Sequence, residues 1–235
     1  MRDSIYQEKC ILSPSLISCC DLCNLESSVK ALEEAGIEML HVDILDGHFS
    51  PSMPLGLDTV RQLRSRTDMI FDVHVMTSAH DFFIEELLEI GVQQLVFHGE
   101  MESHMDHRLN QIRKAGVRAG VALKPATPLN TLEYVIEKCD AVLLMLINPG
   151  YAQSKSEGQV PYAERKVRDL HEMIASRGLD TKVILDGRIS KENMAKFAPE
   201  GIADIFVAGS TCLDKKNLKD SAKALIEYRK SILGE

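Results

Sequence analysis

The stretch GIEMLHVDILD at residues 36–46 contains the unit that decides the fold of this chain. Gly36 followed by an aliphatic residue is typical of a helix end, because glycine adopts the left-handed conformation of a C-terminal cap without steric cost. The short aliphatic run at 39–43 then indicates a strand buried on both faces, as in a parallel sheet. The unit therefore predicts a helix, a tight turn and a buried strand in succession.

The same unit recurs along the chain. Glycine precedes an aliphatic residue again at Gly91, Gly116, Gly178 and Gly201, and a short apolar run follows each time. Three further apolar runs bring the series to eight. The predicted strands are residues 11–16, 39–43, 71–75, 94–98, 118–123, 141–146, 182–186 and 205–208.

Segments between the strands carry apolar residues at helical spacing, for example Leu25, Val29 and Leu32. The predicted pattern is a strand followed by a helix, eight times over. Such units require a parallel sheet, and eight of them with right-handed crossovers close most simply into a barrel. We therefore predict an α/β fold, a single (β/α)8 TIM barrel spanning residues 1–235, with a doubly wound open sheet as the alternative.

The composition limits the classes of function. The chain has 235 residues, 45% of them hydrophobic, and a formal net charge of −8. This balance argues against a nucleic-acid partner and against binding to an anionic membrane surface. No apolar run has the length of a membrane-spanning helix, and the first residues lack the apolar core of a signal peptide, so we predict a cytoplasmic protein.

Six cysteines lie at positions 10, 19, 20, 23, 139 and 212. In a reducing compartment they are expected to be unbridged and mostly buried. Cys19, Cys20 and Cys23 resemble half of a zinc site, but no second Cys or His pair follows at the spacing of a zinc finger. Free cysteines are the prediction, with structural zinc as the alternative.

Polar residues stand at the ends of the predicted strands, where TIM barrels carry their chemistry. Strand 2 ends with His41 and Asp43, strand 3 contains His74 and strand 7 ends with Asp186. Residues two apart on a strand share a face, so His41 and Asp43 both point into the barrel mouth. Two imidazoles and two carboxylates that converge there suit one divalent cation, such as zinc, iron, manganese or cobalt.

Six blocks of sequence resemble a known family in their order and spacing, from about residue 11 to residue 213. They are HVDILDGHF at 41–49, DVHVM at 72–76, KPATP at 124–128, NPGY at 148–151, DG at 186–187 and AGS at 208–210. The family is that of the ribulose-phosphate 3-epimerases. The resemblance implies a barrel of the ribulose-phosphate-binding type, a ketose phosphate as the substrate and a homo-oligomer.

The resemblance also implies roles for individual residues. His41, Asp43, His74 and Asp186 would bind the metal, and Asp43 and Asp186 would also exchange protons with the two faces of the substrate. Removal of the C3 proton yields an enediolate that a cation stabilises, and reprotonation from the opposite face inverts the centre. The residues expected to contact the substrate are Ser15, His74, Met76, Met145, Gly150, Gly187, Arg188, Gly209 and Ser210.

The substrate phosphate is expected at the ends of strands 6 to 8, where glycines let backbone N–H groups approach its oxygens and a short helix N-terminus adds positive potential. Ser15 has an alternative interpretation as a cap on the turn before the first helix. The chain departs from the family pattern at Leu45, at residues 149–154 and at Arg188. Ribulose 5-phosphate is the first predicted substrate, because the resemblance implies the family's commonest substrate. These departures cluster around the phosphate and the far end of the sugar, so allulose 6-phosphate is the alternative.

Two other classes of function are weighed against this one. A related group of barrel lyases carries an Asp-x-Lys-x-x-Asp motif on strand 2, whereas residues 43–46 here read DILD and contain no lysine. A non-catalytic barrel that binds a sugar phosphate would not need both aspartates and both histidines. The sequence therefore favours an isomerase.

Overall fold

The computed structural model describes residues 2–150, 154 and 156–235. Within these residues, eight strands form one sheet. The strands are β1 Ile11–Pro14, β2 Met39–Leu45, β3 Ile70–Met76, β4 Gln94–His98, β5 Arg118–Leu123, β6 Ala141–Met145, β7 Lys182–Asp186 and β8 Ile205–Ala208. All eight lie where the sequence predicts them, and β4, β5, β7 and β8 match the predicted bounds residue for residue.

The sheet curls round until its ends meet. The strand order is β1-β8-β7-β6-β5-β4-β3-β2, and neighbouring strands run parallel. A parallel bridge between Ser15 and His41 joins the β1 end of the sheet to β2. The barrel prediction is therefore confirmed, and the open sheet is wrong. Closure gathers the C-terminal ends of all the strands around one mouth.

Eight α-helices pack around the sheet in the described residues: α1 Leu16–Cys19, α2 Leu25–Ala35, α3 Leu57–Arg64, α4 His80–Ile90, α5 Met105–Lys114, α6 Ala163–Ser176, α7 Lys191–Phe197 and α8 Leu218–Leu233. The predicted alternation of strands with α-helices is interrupted between β5 and β6. Two 3₁₀ helices, Leu129–Leu132 and Ile136–Lys138, take the place of an α-helix there. Pro125 and Pro128 precede them, and proline disfavours helical geometry in the residue before it.

The turn predicted from the opening stretch is present. Gly36 follows α2 with a φ of 98°, and Gly91 follows α4 with a φ of 83°. In both cases the glycine N–H donates to carbonyl groups of the last helical turn. The next strand begins at Met39 and at Gln94, so the glycine turns the chain directly from the helix into the sheet.

The apolar core has two layers, separated by the sheet. Leu40, Val42 and Ile44 of β2 belong to the outer layer, which packs between the strands and the helices. Met39 of the same strand belongs to the inner layer, which fills the barrel. The 3₁₀ helix Arg2–Gln7 contributes Ile5 and Tyr6 to the inner layer. The barrel is thus a packed core with its free space at the mouth.

Two further features of the fold are the state of the cysteines and the character of the helices. All six cysteines, each in the described part of the chain, are free. Cys19 and Cys20 are buried with their sulfur atoms 3.8 Å apart, while Cys23 is exposed, so these residues do not form a common ligand set. None of the helices that the structure describes is long and apolar enough to cross a membrane.

Close packing between β5 and β6 gives a test of the fold. A Cβ atom on Gly120 would lie 2.6 Å from Val96 Cγ1 and closer still to the carbonyl oxygen of Ala141. We expect Gly120→Ala to lower the free energy of unfolding by about 1–3 kcal/mol, because overpacking forces the strands apart. Denaturant titration measures the change. In the control Gly158→Ala, the new Cβ meets no atom within 4 Å, and equal losses in both variants would contradict the packing argument.

Candidate active site

A cavity of about 260 Å³ lies at the C-terminal mouth of the barrel. Asp43, Met76, Met145 and Asp186 reach it from β2, β3, β6 and β7. All but one of the residues predicted to contact the substrate line this cavity, namely Ser15, Met76, Met145, Gly150, Gly187, Arg188, Gly209 and Ser210. The exception is His74, which is fully buried behind the cavity wall.

The four predicted metal ligands form one cluster beside this cavity. His41 Nε2 lies 3.4 Å from Asp43 Oδ1 and 3.9 Å from Asp186 Oδ2. His74 Nδ1 lies 3.7 Å from Asp43 Oδ1 and 3.5 Å from Asp186 Oδ2. One atom from each of the four residues lies within 4.8 Å of all the others, so the predicted convergence is present.

The donor atoms fit a metal ion. Nitrogen and carboxylate ligands bind zinc at about 2.0–2.2 Å, which places neighbouring ligands of a tetrahedron about 3.3–3.6 Å apart. The nitrogen-to-oxygen distances of 3.4 to 3.9 Å are close to this spacing. His41 Nε2 and His74 Nδ1 are also buried without a hydrogen-bond partner. Because buried polar atoms are normally satisfied, two unsatisfied nitrogens aimed at one point indicate a cation site.

The electrostatic field of the cluster favours positive charge. Burial lowers the pKa of His41, but attraction to Asp43 and Asp72 outweighs it and raises the pKa well above its usual value. Burial likewise opposes the ionised form of Asp43, but the facing rings of His41 and His74 outweigh it and hold the pKa of this carboxyl below its usual range. The field that stabilises a proton on these rings also stabilises a metal cation.

The side chain of Ser15 forms a hydrogen bond with one of the carboxylates in the cluster. Its backbone occupies the N-cap position of α1, but its side chain makes no capping bond. The hydroxyl donates to Asp43 Oδ2 at 2.8 Å instead. The capping interpretation of Ser15 is therefore wrong, and the serine orients Asp43 while facing the cavity.

The loops after β7 and β8 shape the other end of the cavity. Gly187 has a φ of 110°, and a Cβ atom there would lie 2.9 Å from the backbone nitrogen of Ile147, so glycine is required. The residues after Gly209 form a turn closed by Leu213 N–H donating to the Gly209 carbonyl at 3.0 Å, where the sequence led us to expect a short helix. Tyr151 and Ala152, which belong to the departing loop, lie outside the described residues.

Comparison with known proteins identifies the family of the chain. Residues 11–213 match the model of the Ribulose-phosphate 3 epimerase family. The chain is 35% identical to the chloroplastic ribulose-5-phosphate-3-epimerase of Arabidopsis thaliana, over 95% of this chain and 78% of that protein. It is 33% identical to the ribulose-phosphate 3-epimerase of Escherichia coli, over 94% of this chain and 96% of the relative. The chain belongs to the ribulose-phosphate 3-epimerase family.

Membership of this family makes the chain an epimerase, which is an enzyme of the isomerase class.

Solved structures of low sequence identity resemble the chain in fold alone. The KGPDC of Streptococcus mutans superposes with a TM-score of 0.68 at 16% identity, over 96% of this chain and 99% of that one. The 3-keto-L-gulonate-6-phosphate decarboxylase of Vibrio cholerae gives 0.67 at 12% identity, over 96% and 99%.

Two polar residues of this epimerase were not predicted as part of the site. Asp72 is fully buried and its Oδ2 lies 2.8 Å from Nδ1 of His41. Asp46 accepts hydrogen bonds from the backbone N–H and the hydroxyl of Ser78, both at 2.6 Å, and so ties the loop after β2 to the loop after β3. Both residues lie inside the sequence blocks that resemble the family, and this position was the only available sign of a role at the site. The spacing of the residues did not show which side chain either aspartate would contact.

The bonds to Asp46 give a pH-dependent prediction. Partial burial raises the pKa of Asp46, but the bonds from Ser78, Phe49 and His48 outweigh it and hold the pKa well below the usual value. A carboxyl whose pKa is lowered by folding stabilises the folded state at pH values above its unfolded-state pKa of about 3.9. This contribution is lost as pH falls below that value toward the folded-state pKa. We expect Asp46→Asn to lower Tm at pH 7 by about 2–4 °C, with the difference from wild type narrowing below about pH 4.

Thermal scans of wild type, Asp46→Asn, Ser78→Ala and the double variant test this contribution. Because Asp46 and Ser78 act as one unit, the double variant should lose less than the sum of the single losses. Additive losses, or a Tm difference for Asp46→Asn that stays constant through pH 3, would show that the pair does not stabilise the loops in this way.

Proposed function

We propose that this epimerase inverts C3 of a ketose phosphate, with D-ribulose 5-phosphate and D-xylulose 5-phosphate as the interconverted pair. The observation that carries the proposal is the placement of two carboxylates in one cavity. Asp43 comes from β2 and Asp186 from β7, two strands separated by β1 and β8 in the barrel. Carboxylates on separate walls can address opposite faces of one carbon, which inversion requires.

The proposed reaction moves one proton off C3 and another onto it. An ionised aspartate accepts the C3 proton, which is acidic because it adjoins the C2 carbonyl, and an enediolate forms. The other aspartate, protonated, then donates to the opposite face of C3. Ser15 holds Oδ2 of Asp43 at 2.8 Å and so limits rotation of this carboxyl. Each aspartate exchanges roles when the reaction runs in reverse.

His41, Asp43, His74 and Asp186 would hold one divalent cation. When bound, the cation would supply Lewis-acid stabilisation of the negative charge that develops on the C2 oxygen. Zinc, iron, manganese and cobalt all suit this set of nitrogen and oxygen ligands. We assign His74 to the metal and not to the substrate, because it is fully buried and does not line the cavity.

The remaining cavity residues would bind the two ends of the substrate. Met76 and Met145 supply an apolar surface next to the aspartates, which excludes water from the carbon that loses its proton. Gly150, Gly187, Gly209 and Ser210 would let backbone groups approach the phosphate, with Arg188 beside them. A homo-oligomer and a cytoplasmic location stay predictions.

Replacing each aspartate singly by asparagine tests the two-base mechanism. We expect turnover to fall by about 10² to 10⁴ in Asp43→Asn and in Asp186→Asn, because asparagine can neither accept nor donate the proton. Each variant should also lose C3 exchange with deuterated water from one epimer while retaining some exchange, without inversion, from the other. Proton NMR of both sugar phosphates measures this.

Metal content of each variant separates lost acid–base chemistry from lost cation. Full metal occupancy with lost turnover supports the acid–base role directly. Turnover above about a tenth of wild type in either variant would rule out the two-base mechanism, since general acid–base groups contribute at least about 10²-fold.

D-allulose 6-phosphate is the second candidate substrate, because the chain departs from the family pattern at position 188. Arg188 lines the cavity with a φ of 51°, and its Nη2 donates to the Ser154 carbonyl at 2.6 Å. Both sugar phosphates present the same C1 to C3 region, so discrimination depends on the distance from the metal ligands to the phosphate site. One more carbon adds about 1.3–1.5 Å to that distance, as ordinary bond lengths imply.

We expect Arg188→Gly to shift the ratio of kcat/KM for the two sugar phosphates by about 10-fold, or about 1.4 kcal/mol. Arg188→Ala is the matched control, because it removes the guanidinium but keeps a side chain at a positive φ. Equal shifts in both variants would assign the effect to the guanidinium, and a shift in the glycine variant alone would assign it to the backbone. An unchanged ratio with high activity would show that Arg188 does not select the substrate.

A further inference from the structure

The two imidazoles of the proposed metal site are held from behind by different partners. His41 Nδ1 faces the carboxylate of Asp72 at 2.8 Å, and Asp72 also accepts from the side-chain amide of Gln94 at 2.9 Å. His74 Nε2 faces a second imidazole, with 3.0 Å to Nε2 of His98. A carboxylate therefore orients His41 directly, whereas His74 has no carboxylate at the equivalent place.

A carboxylate is present one step further on. His98 Nδ1 lies 2.8 Å from Glu100 Oε2, and the His74 and His98 ring centroids are 5.0 Å apart. Both histidines are fully buried. We call the chain formed by His74, His98 and Glu100 the histidine relay. It runs from β3 through the end of β4 to the 3₁₀ turn that follows β4.

One arrangement of protons satisfies every bond in the histidine relay. A metal-binding Nδ1 on His74 carries no proton, so neutral His74 carries its proton on Nε2 and donates it to His98. His98 Nε2 is then the acceptor, and the proton of His98 lies on Nδ1. That proton is donated to Glu100, whose ionised carboxylate can only accept. Donation runs in one direction, from His74 to Glu100.

We propose that Glu100 and His98 are positioning residues that fix His74 in the tautomer whose Nδ1 is available to the cation. The inference rests on the proposed function, because it takes the four-residue cluster as the metal site. In metalloproteins the outer hydrogen bond of a ligating histidine sets its tautomer and its ring orientation. Glu100 does this for His74 through His98, as Asp72 does for His41 by direct contact.

Glu100 is itself held in place, which gives the histidine relay its direction. Its Oε1 accepts from the backbone N–H of Lys124 at 2.7 Å and from the hydroxyl of Thr127, which leaves Oε2 for His98. The Phe49 ring covers His98 with 4.6 Å between centroids, and Lys124 Nζ lies 4.2 Å from the Phe49 centroid. The segment 124–128 does not line the cavity. Its connection to the site is therefore indirect, through the hydrogen bonds that hold Glu100.

Glu100→Gln tests the proposal with almost no change in volume. Glutamine has one acceptor oxygen, and the backbone N–H of Lys124 can only donate, so this oxygen turns toward Lys124. The amide NH₂ then faces His98 Nδ1 and forces the proton of His98 onto Nε2. The Nε2–H of His98 would then face the Nε2–H of His74, and neither could accept a hydrogen bond. The clash is avoided if the His74 proton moves to Nδ1, but a proton there blocks this nitrogen from binding the cation.

We expect Glu100→Gln to weaken Zn²⁺ binding by about 10- to 100-fold, the usual effect of losing an outer partner of a ligating histidine. Competition with a chromophoric chelator measures the affinity. Glu102→Gln is the matched control. Glu102 is a nearby carboxylate that accepts from Arg108 at 2.8 Å and from the backbone N–H of His104 at 3.0 Å, without contact to His74 or His98. This control should lower stability while keeping zinc affinity within about twofold.

Nitrogen NMR of the imidazoles reads the proton positions without reference to activity. In the wild-type protein loaded with Zn²⁺, we expect the proton of His74 on Nε2 and that of His98 on Nδ1. Glu100→Gln should move the proton of His98 to Nε2. Wild-type spectra with the opposite placement on His98 would overturn the proposal even if the zinc affinity of Glu100→Gln were reduced.

Two substitutions of His98 keep the test open if Glu100→Gln fails to fold. His98→Gln retains an oxygen that can accept from His74 Nε2, whereas His98→Leu retains none. We expect His98→Leu to lose zinc affinity by at least 10-fold and His98→Gln to recover most of that loss. Equal affinities in His98→Leu and wild type would overturn the proposal. A wild-type protein that binds no Zn²⁺ would instead overturn the proposed metal site, and the inference with it.

Discussion

The in-register pairing of β2 with β3 is the interaction on which the site depends. It sets Asp43 opposite His74, while the bridge from Ser15 to His41 aligns β1 with the same level of the barrel. A slip of one residue would turn His41 and Asp43 toward the helices, because side chains alternate along a strand. Leu40, Val42 and Ile44 resist that slip, since their outer layer would then receive the charged groups. The apolar packing outside the barrel thus fixes the chemistry inside it.

Buried charge explains why the residues of the site need hydrogen-bond partners. Carboxylates and imidazoles in a nearly dry space destabilise a fold unless each is hydrogen-bonded or paired. The outer nitrogens of His41 and His74 are satisfied by Asp72 and His98, whereas their inner nitrogens are not. Every unsatisfied nitrogen of the pair therefore points at the place where a cation and a substrate oxygen would lie. A cation bound there would relieve the unfavourable burial of these two nitrogens.

Sequence periodicity predicted the strands and the convergence of His41, Asp43, His74 and Asp186 for physical reasons that do not extend to the residues behind them. Glycine at a helix end and aliphatic runs are local signals, so the eight strands followed from the chain itself. Asp72 points inward by the same alternation as His74, but its depth beside His41 depends on strand tilt, which the sequence does not display. Glu100 stands after β4, and its approach to His98 depends on how a 3₁₀ turn folds back. The missing helix between β5 and β6 followed from prolines that the alternating pattern did not weigh.

Arg188 combines a left-handed backbone conformation with a side chain that lines the cavity. Its φ of 51° lies in the left-handed region, which glycine adopts freely and which costs other residues about 1–2 kcal/mol. The guanidinium donates to the Ser154 carbonyl and so joins the loop after β7 to the loop after β6. Its side chain also lines the cavity next to Gly187. A positively charged side chain thus lies at the end of the cavity proposed for phosphate, where it favours an anionic group.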